Sequence, residues 1–205
     1  MVKTTAHEAI NLYTFNKSKK ETIILIHGLF GNSGYWLSFL KYFYNFKILI
    51  LDINYPRIFR ENSNQIDLHR YLKSILEDNE EYILISHSIG TVLAQYFPEK
   101  KIKISYEICP IKHSINKNKK KFIEEIQSAT NFSNKEIKNI LEKATLFLSN
   151  NFSIENKLLT KKQYFPKMDL FFNDSFNSEN EEFFEGSHFN IVNSLSMINK
   201  DLSKN

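Results

Sequence analysis

The stretch YILISHSIGTVLAQYF, residues 82–97, constrains the fold more than any other part of the chain. It begins with a continuous apolar run, passes through serine, histidine and glycine, and continues as an apolar segment with helical spacing. A short apolar run bounded by a turn is typical of a buried parallel strand. The stretch therefore predicts a strand that turns sharply into a helix, with Ser88 at the tip of the turn.

Several other segments repeat this alternation of strand and helix. Strands that alternate with helical patterns indicate an α/β protein with a mostly parallel, doubly wound sheet. The length suits a single domain spanning residues 1–205. The predicted strands lie at 10–15, 21–28, 46–53, 82–86, 101–109 and 167–174, and the predicted helices at 33–44, 65–78, 89–97 and 189–202.

Residues 111–166 interrupt the alternation, because no strand-like run is found there. Ser133 and Glu136 have the spacing of a capping box. The apolar residues that follow fall on one stripe of a helix. These residues are Ile137, Ile140, Leu141, Ala144 and Leu148. The segment 111–166 is therefore predicted to be a helical insertion in the sheet scaffold.

Composition argues against several classes of protein. The net charge is +4, but 24 of the 27 basic residues are lysine, which lacks the bidentate fork of arginine, and no nucleic-acid-binding motif is present. The single cysteine, Cys109, excludes an internal disulfide. No apolar run is long enough for a membrane span and no signal segment is visible, so a cytoplasmic protein is expected. The six histidines have no metal-ligand spacing, so no metal site is expected. No cofactor is implied.

The turn at residues 86–90 has the context of a nucleophile elbow, namely a strand, a small-x-Ser-x-small turn and a helix. The central serine of such a turn adopts a strained backbone conformation, so the residues two positions away must be small. Ser86 and Gly90 meet this requirement. Ser88 is thus a candidate nucleophile, the alternative being a plain turn residue. His87, at the permissive position of the turn, is not expected to be the base.

These residues and two further segments make the chain similar to the α/β-hydrolase superfamily. The elbow resembles that of the family, with serine in place of the usual first glycine. ILIHGLFGNSGYW resembles the family's oxyanion loop, and EGSHFNIV its histidine turn before the last helix. The resemblance implies that the backbone N–H groups of Leu29 and Ile89 form the oxyanion hole. It also implies that His188 is the general base. His27 is expected to have a structural role and to orient the loop.

The acid that orients the histidine is less well defined. The family usually places it after the strand that precedes the histidine turn, which implies Asp174, at the end of the predicted strand 167–174. The segment between Asp174 and His188 is shorter than is usual for the family. Glu107, at the end of the strand after the elbow helix, is the reserve. The carboxylates given less weight are Asp52, Glu179, Glu181 and Glu182.

The resemblance implies a serine hydrolase that cleaves a carboxylic ester through an acyl-enzyme. Two alternatives remain open: an acyl thioesterase, and a non-catalytic relative that binds a small ligand or partner. A phosphate-binding loop at Gly28, Gly31 and Gly34 is disfavoured, because the spacing does not match G-x-G-x-x-G and no G-K-[ST] follows.

The charge of residues 111–166 suggests a partner. This segment holds 11 lysines and 5 glutamates and carries +6, whereas the rest of the chain carries −2. It lies where the family places its lid, and a basic lid would suit a substrate on an acidic carrier such as acyl carrier protein. The size and the basic lid resemble esterases that demethylate pimeloyl-acyl-carrier-protein methyl ester in biotin synthesis. The alternative is a solvated lid on a general carboxylesterase.

Overall fold

The computed structural model describes residues 2–7, 9–60, 65–76, 80–111, 119–151, 161–167 and 180–204. Its centre is an eight-stranded sheet. The strands are β1 (Val2–His7), β2 (Ile10–Phe15), β3 (Thr22–Ile26), β4 (Lys47–Ile53), β5 (Tyr82–His87), β6 (Ile102–Ile108), β7 (Lys161–Pro166) and β8 (Glu181–Phe184). Their order is β1-β2-β4-β3-β5-β6-β7-β8, and β2 runs in the opposite direction to the other seven strands. The prediction of a mostly parallel α/β sheet is confirmed.

Helices cover both faces of the sheet. They are α1 (Ser33–Leu37), α2 (Tyr55–Arg60), α3 (Gln65–Ser74), α4 (Gly90–Ala94), α5 (Lys119–Ala129), α6 (Asn134–Asn151) and α7 (Val192–Leu202). Apolar residues of α1 and α7 pack on one face, and those of α2 to α6 pack on the other. Within this described part of the chain, no helix is long and apolar enough to cross a membrane.

The central strands β3 and β5 are buried on both faces, which explains their continuous apolar runs. Ile24 and Leu84 contribute to the core beneath α2 to α6, whereas Ile23 and Ile83 contribute to the core beneath α1 and α7. These two strands are parallel and in direct register. They therefore carry the loops that follow them to the same edge of the sheet.

The helix predicted after Ser133 is present as α6, and α5 precedes it in the same segment. Ser133 and Glu136 form the predicted capping box: the Ser133 N–H donates to Glu136 Oε2 over 2.8 Å, and the Glu136 N–H donates to Ser133 Oγ over 3.3 Å. The apolar stripe of α6 is buried in the core, where α6 packs against α2 and α5.

The predicted end of the helical insertion, at residue 166, is wrong. Residues 161–166 are not helical insertion but strand β7, which lies between β6 and β8. Two lysines, a glutamine and a terminal proline obscure the strand pattern, although the last four residues are buried. The predicted strand 167–174 begins too late: Lys167 is already in the turn after β7, and residues 168–174 lie outside the described part of the chain.

Candidate active site

Ser88 stands at the tip of the turn between β5 and α4. Its φ angle is 53°, in the left-handed region that non-glycine residues rarely adopt. Hydrogen bonds hold this conformation from both sides. The Ser88 N–H donates to the Ile108 carbonyl over 2.9 Å, and the Ser88 carbonyl accepts from the Thr91 N–H and hydroxyl. Such over-determined strain is common at functional sites, and here it presents the Ser88 side chain above the end of the sheet.

The residues two positions from Ser88 have no room for larger side chains. Ser86 is fully buried, and a Cβ atom added to Gly90 would lie 2.8 Å from the His27 carbonyl oxygen. The same Cβ would lie 2.9 Å from the Ile26 carbonyl oxygen. The backbone of α4 therefore passes directly against the end of β3, which explains why the turn requires a glycine at position 90.

His188 meets the serine from the turn between β8 and α7. Its Nε2 atom lies 3.0 Å from Ser88 Oγ, within hydrogen-bond distance. Both side chains are buried, with 3% of His188 and 7% of Ser88 exposed. A histidine nitrogen at this distance can accept the hydroxyl proton, which is the relation between a base and a serine nucleophile. The structure thus brings together the predicted nucleophile and the predicted base.

The loop after β3 runs against the elbow. A Cβ atom at Gly28 would lie 3.0 Å from Ser88 Cβ and 2.9 Å from His87 Nδ1, so only glycine allows this approach. Within the described residues, the backbone N–H groups of Leu29 and Ile89 donate to no protein acceptor. Leu29 follows Gly28 and Ile89 follows Ser88, so the two predicted oxyanion-hole donors belong to the two segments that meet at the serine.

His27 is fully buried and holds this loop in place. Its Nε2 accepts from the Ile53 N–H over 2.8 Å, so Nδ1 carries the hydrogen and donates to the Gly28 carbonyl over 2.8 Å. The Tyr55 hydroxyl donates to the His27 carbonyl over 2.6 Å. Burial lowers the pKa of His27, so its ring is held in the neutral form. This is the orienting role that the sequence suggested.

The predicted acid, Asp174, lies outside the described residues. The observed end of β7 at Pro166 adds a candidate that the sequence pattern missed, because Asp169 follows that strand by three residues. Asp169 is also outside the described part of the chain. The sequence pattern missed Asp169 because it missed the short strand β7, whose lysines obscure the apolar pattern of a buried strand.

Glu107, the reserve acid, is 1% exposed and accepts from Gln163 Nε2 over 2.6 Å. Its neighbours in β6, Tyr106 and Ile108, pack with the apolar residues of α7. Because side chains alternate along a strand, Glu107 points to the opposite face, whereas the turn that holds His188 leads into α7, which packs on the first face. Glu181 and Glu182 lie in β8, and Asp52 accepts from the Ser33 N–H over 3.0 Å.

A cavity of about 270 Å³ lies beside the elbow. Its described wall contains no charged side chain and is mainly apolar and aromatic. The residues that matter for its shape are Leu29, Phe30, Tyr35, Ile126, Thr130 and Phe189. Ile126 and Thr130 belong to α5 and the turn after it, and Phe132 packs edge-to-face on Phe30 with ring centroids 5.8 Å apart. Residues of α5 and of the turn after it therefore form part of the cavity wall.

One buried cluster has the side chains of a metal site. Potential ligand atoms of His87, Cys109 and His188 lie within 4.8 Å of one another. His87 Nε2, however, lies 2.8 Å from the His188 carbonyl oxygen, so it carries a hydrogen and donates. A metal on His188 Nε2 would also displace the Ser88 hydroxyl. The hydrogen bonds therefore fit a polar cluster better than a metal centre.

Comparison with known proteins shows the fold. No protein-family model matches the chain, and no curated protein matches it. Solved structures do. Carboxylesterase CesB from Bacillus subtilis is 12% identical with a TM-score of 0.68, over 99% of this chain and 90% of that one. A NocB thioesterase domain in covalent complex with a fluorophosphonate analogue is 13% identical with a TM-score of 0.62, covering 93% and 99%.

An epoxide hydrolase from Bacillus megaterium is 14% identical, with a TM-score of 0.59 over 95% of this chain and 96% of its own. These proteins share one architecture but are named for different reactions. At such low identity the likeness shows the fold alone. The chain has the α/β-hydrolase fold, with a mostly parallel sheet, as its sequence predicted.

Proposed function

We propose that this protein is a serine hydrolase that cleaves a carboxylic ester through an acyl-enzyme on Ser88. The observation that carries the proposal is the 3.0 Å approach of His188 Nε2 to Ser88 Oγ, with the serine in a strained left-handed conformation. The fold supports it, since esterases are among the solved structures that the chain resembles. Fold alone does not define a reaction, so the weight rests on this pair.

The proposed reaction begins when His188 Nε2 takes the proton of the Ser88 hydroxyl as Oγ attacks the ester carbonyl carbon. The carbonyl oxygen becomes an oxyanion, which the N–H groups of Leu29 and Ile89 stabilise. The protonated His188 then gives its proton to the leaving alkoxide, and the acyl group remains on Oγ. Water, activated by the same histidine, attacks the acyl-enzyme and releases the carboxylic acid and Ser88.

A carboxylate is needed to orient His188 and to stabilise its charged form. We propose that it lies in the segment after β7, at Asp169 or Asp174. The family's usual placement of the acid supports this segment, and the observed end of β7 at Pro166 adds weight to Asp169. Glu107 is the weaker candidate, because strand alternation directs it to the other face of the sheet.

The cavity beside the elbow suggests the kind of group that is bound. An uncharged, mainly apolar wall suits a short acyl or alkyl chain, since a charged group there would lose its hydration without a partner. A small apolar ester is therefore the proposed substrate class. An acyl thioester would offer the same carbonyl chemistry and stays an alternative.

A carrier-bound substrate, such as the methyl ester of a pimeloyl chain on acyl carrier protein, remains a narrower proposal. It is supported by exposed lysines on α5 and α6, including Lys120, Lys135 and Lys138. The support is smaller than the sequence suggested: Lys161 and Lys162 belong to β7, and Lys162 pairs with Asp201 over 2.7 Å.

The test of the proposed function combines a labelling experiment with a substrate screen. A fluorophosphonate probe should label the wild-type protein at Ser88, and 4-nitrophenyl esters of graded chain length should be hydrolysed with a preference for short chains. Acyl thioesters of the same chains are screened in parallel. A wild-type protein that is neither labelled nor active on any of these compounds would contradict the proposal and favour a non-catalytic binding protein.

A further inference from the structure

We propose that His87 and Tyr35 are positioning residues that hold the backbone of the histidine turn, so that His188 faces Ser88. This inference rests on the proposed function, because it assigns a role within that site. Its starting point is the residue at position 87, which the nucleophile-elbow pattern does not specify. The position between Ser86 and Ser88 is permissive, yet here it holds a histidine that is 3% exposed.

The His87 ring connects the elbow to the turn that bears the base. Its Nε2 donates to the main-chain carbonyl of His188 over 2.8 Å, across 101 residues of sequence. The rings of His87 and His188 lie with centroids 5.2 Å apart. The side chain beside the nucleophile thus determines where the backbone of the base can lie. A shift of that carbonyl would carry the His188 ring with it.

Tyr35 of α1 makes the second attachment. Its ring stacks on the His87 ring, with centroids 5.6 Å apart and planes inclined by 20°. Its hydroxyl donates to the Phe189 carbonyl over 3.4 Å. Two consecutive carbonyls of the histidine turn therefore accept hydrogen bonds from two stacked rings. Together these contacts restrain both the position and the tilt of the turn, which a single hydrogen bond would not do.

The chemistry of His87 suits a permanent donor. Burial and the neighbouring His188 lower its pKa to about 3, so the ring stays neutral near pH 7 and holds one hydrogen. Its Nδ1 faces Gly28, where a Cβ atom would lie only 2.9 Å away. The partner of Nε2 is the His188 carbonyl oxygen, which can only accept, so the donating hydrogen belongs on Nε2. A neutral donor can fix the turn without adding a positive charge beside a base that must itself accept a proton.

The experiment compares four variants. His87→Phe keeps an aromatic ring against Tyr35 but removes the donor, and His87→Gln keeps an N–H near the position of Nε2 but removes the ring. Tyr35→Phe removes only the hydroxyl. The matched control is Tyr106→Phe, which also loses a tyrosine hydroxyl hydrogen bond, to Asp201 over 2.7 Å; that hydroxyl meets the last turn of α7 and not the histidine turn.

Active sites are counted by fluorophosphonate titration, and kcat and KM are measured per titrated site on the best ester. A displacement of about 1 Å at a reacting group lowers rates by up to about a hundredfold. We therefore expect kcat to fall by roughly ten- to a hundredfold in His87→Phe, and less in Tyr35→Phe and His87→Gln. The number of titrated sites should change little. KM should also change in His87→Phe, because His87 lines the cavity, so the positioning role is judged from kcat per titrated site. Tyr106→Phe should match the wild type.

The inference is overturned if His87→Phe keeps the wild-type kcat per site, or if its lost activity equals its lost sites. Should His87→Phe not fold, the same criteria apply to Tyr35→Phe. Histidine ¹⁵N NMR gives a readout independent of catalysis, because the His188 ring signals should move in His87→Phe and Tyr35→Phe but not in Tyr106→Phe. An inactive, unlabelled wild type with these NMR shifts would overturn the proposed function and leave the positioning role supported. Unmoved signals would overturn the positioning role itself.

Discussion

Ser88 Oγ and His188 Nε2 lie 3.0 Å apart although 100 residues separate them along the chain. The sheet makes this approach possible. β5 ends at the elbow, and the turn after β8 returns to the same edge because all strands from β3 onwards run parallel. This edge, beyond the carboxyl ends of parallel strands, is where open α/β sheets usually bind ligands. The predictions below concern this pair and the groups around it.

Ser88→Ala tests the nucleophile. Removal of Oγ should abolish fluorophosphonate labelling and lower ester turnover by several orders of magnitude, because the members of such a site act as a unit. The variant should still fold. Its thermal stability should stay near the wild-type value, because the variant no longer buries the Ser88 hydroxyl. Labelling is followed by intact mass spectrometry. Retained labelling in Ser88→Ala would place the nucleophile elsewhere.

The acid is tested by Asp169→Asn, Asp174→Asn and Glu107→Gln in parallel. The residue that orients His188 should lose about 10⁴-fold in kcat when its carboxylate becomes an amide, because the amide favours the wrong histidine tautomer. We expect this loss in Asp169→Asn or Asp174→Asn. Glu107→Gln should mainly alter stability, because Glu107 accepts a hydrogen bond from buried Gln163. An inactive Glu107→Gln beside two active Asp variants would move the acid to β6.

Local patterns were sufficient for the parts of the fold that are locally encoded. β3 and β5 are buried on both faces, so their sequences are apolar throughout, and the requirement for small residues around a strained serine is visible within five positions. The capping box of α6 is equally local. In each of these cases, the residues that cause the local structure are the same residues that form the recognisable sequence pattern.

The remaining features depend on contacts that no local pattern reveals. β7 is held by its two neighbours rather than by its own composition, so the sequence pattern predicts a strand at 167–174 and not at 161–166. The predicted strand points to Asp174 as the acid, whereas the observed strand adds Asp169 as a candidate. The bond from His87 to the His188 carbonyl spans 101 residues and uses a backbone acceptor. A sequence pattern identifies His87 only as the permissive position of the turn.

Ile126→Ala tests the role of the cavity. Ile126 is 2% exposed and lines the cavity, so its truncation should enlarge the space for the substrate and shift the preferred acyl chain by one or more carbons. Loss of a buried isoleucine should also cost about 2–5 kcal/mol of stability. Ile123→Ala is the matched control, because Ile123 is buried on the same helix but does not line the cavity. If Ile126→Ala and Ile123→Ala prefer the same acyl chain lengths, the cavity is not the place where the acyl chain binds.

The free energy of unfolding should fall on acidification. His87 has a pKa lowered to about 3 in the folded protein, against 6.5 unfolded, so the unfolded chain binds the extra proton first as the pH falls. The stabilisation is complete above pH 6.5 and is lost toward pH 3. Between pH 7.5 and 5 the loss from His87 is about 2 kcal/mol, and His27, whose pKa is also lowered, adds to it.

Urea denaturation at several pH values measures this dependence. His87→Phe should lose stability at neutral pH but show a shallower decline with acid, because one titrating group is gone. Between pH 7.5 and 5, Tyr106→Phe should lose stability with the wild-type slope, since neither Tyr106 nor its partner Asp201, whose pKa is lowered, titrates in that range. An unchanged slope in His87→Phe would mean that His87 is not the group that takes up the proton on unfolding.

The carrier hypothesis is tested by comparing one ester on acyl carrier protein with the same ester on a small thiol. Attraction between an acidic carrier and the lysines of the helical segment should raise kcat/KM for the carrier-bound ester at low salt, and the advantage should shrink as salt screens it. Lys135→Glu with Lys138→Glu, both exposed on α6, should remove this advantage and leave the small ester unaffected. Lys17→Glu with Lys19→Glu, exposed in the loop after β2, is the charge-matched control. Equal kcat/KM for both esters, without salt dependence, would contradict the carrier hypothesis and leave the hydrolase proposal standing.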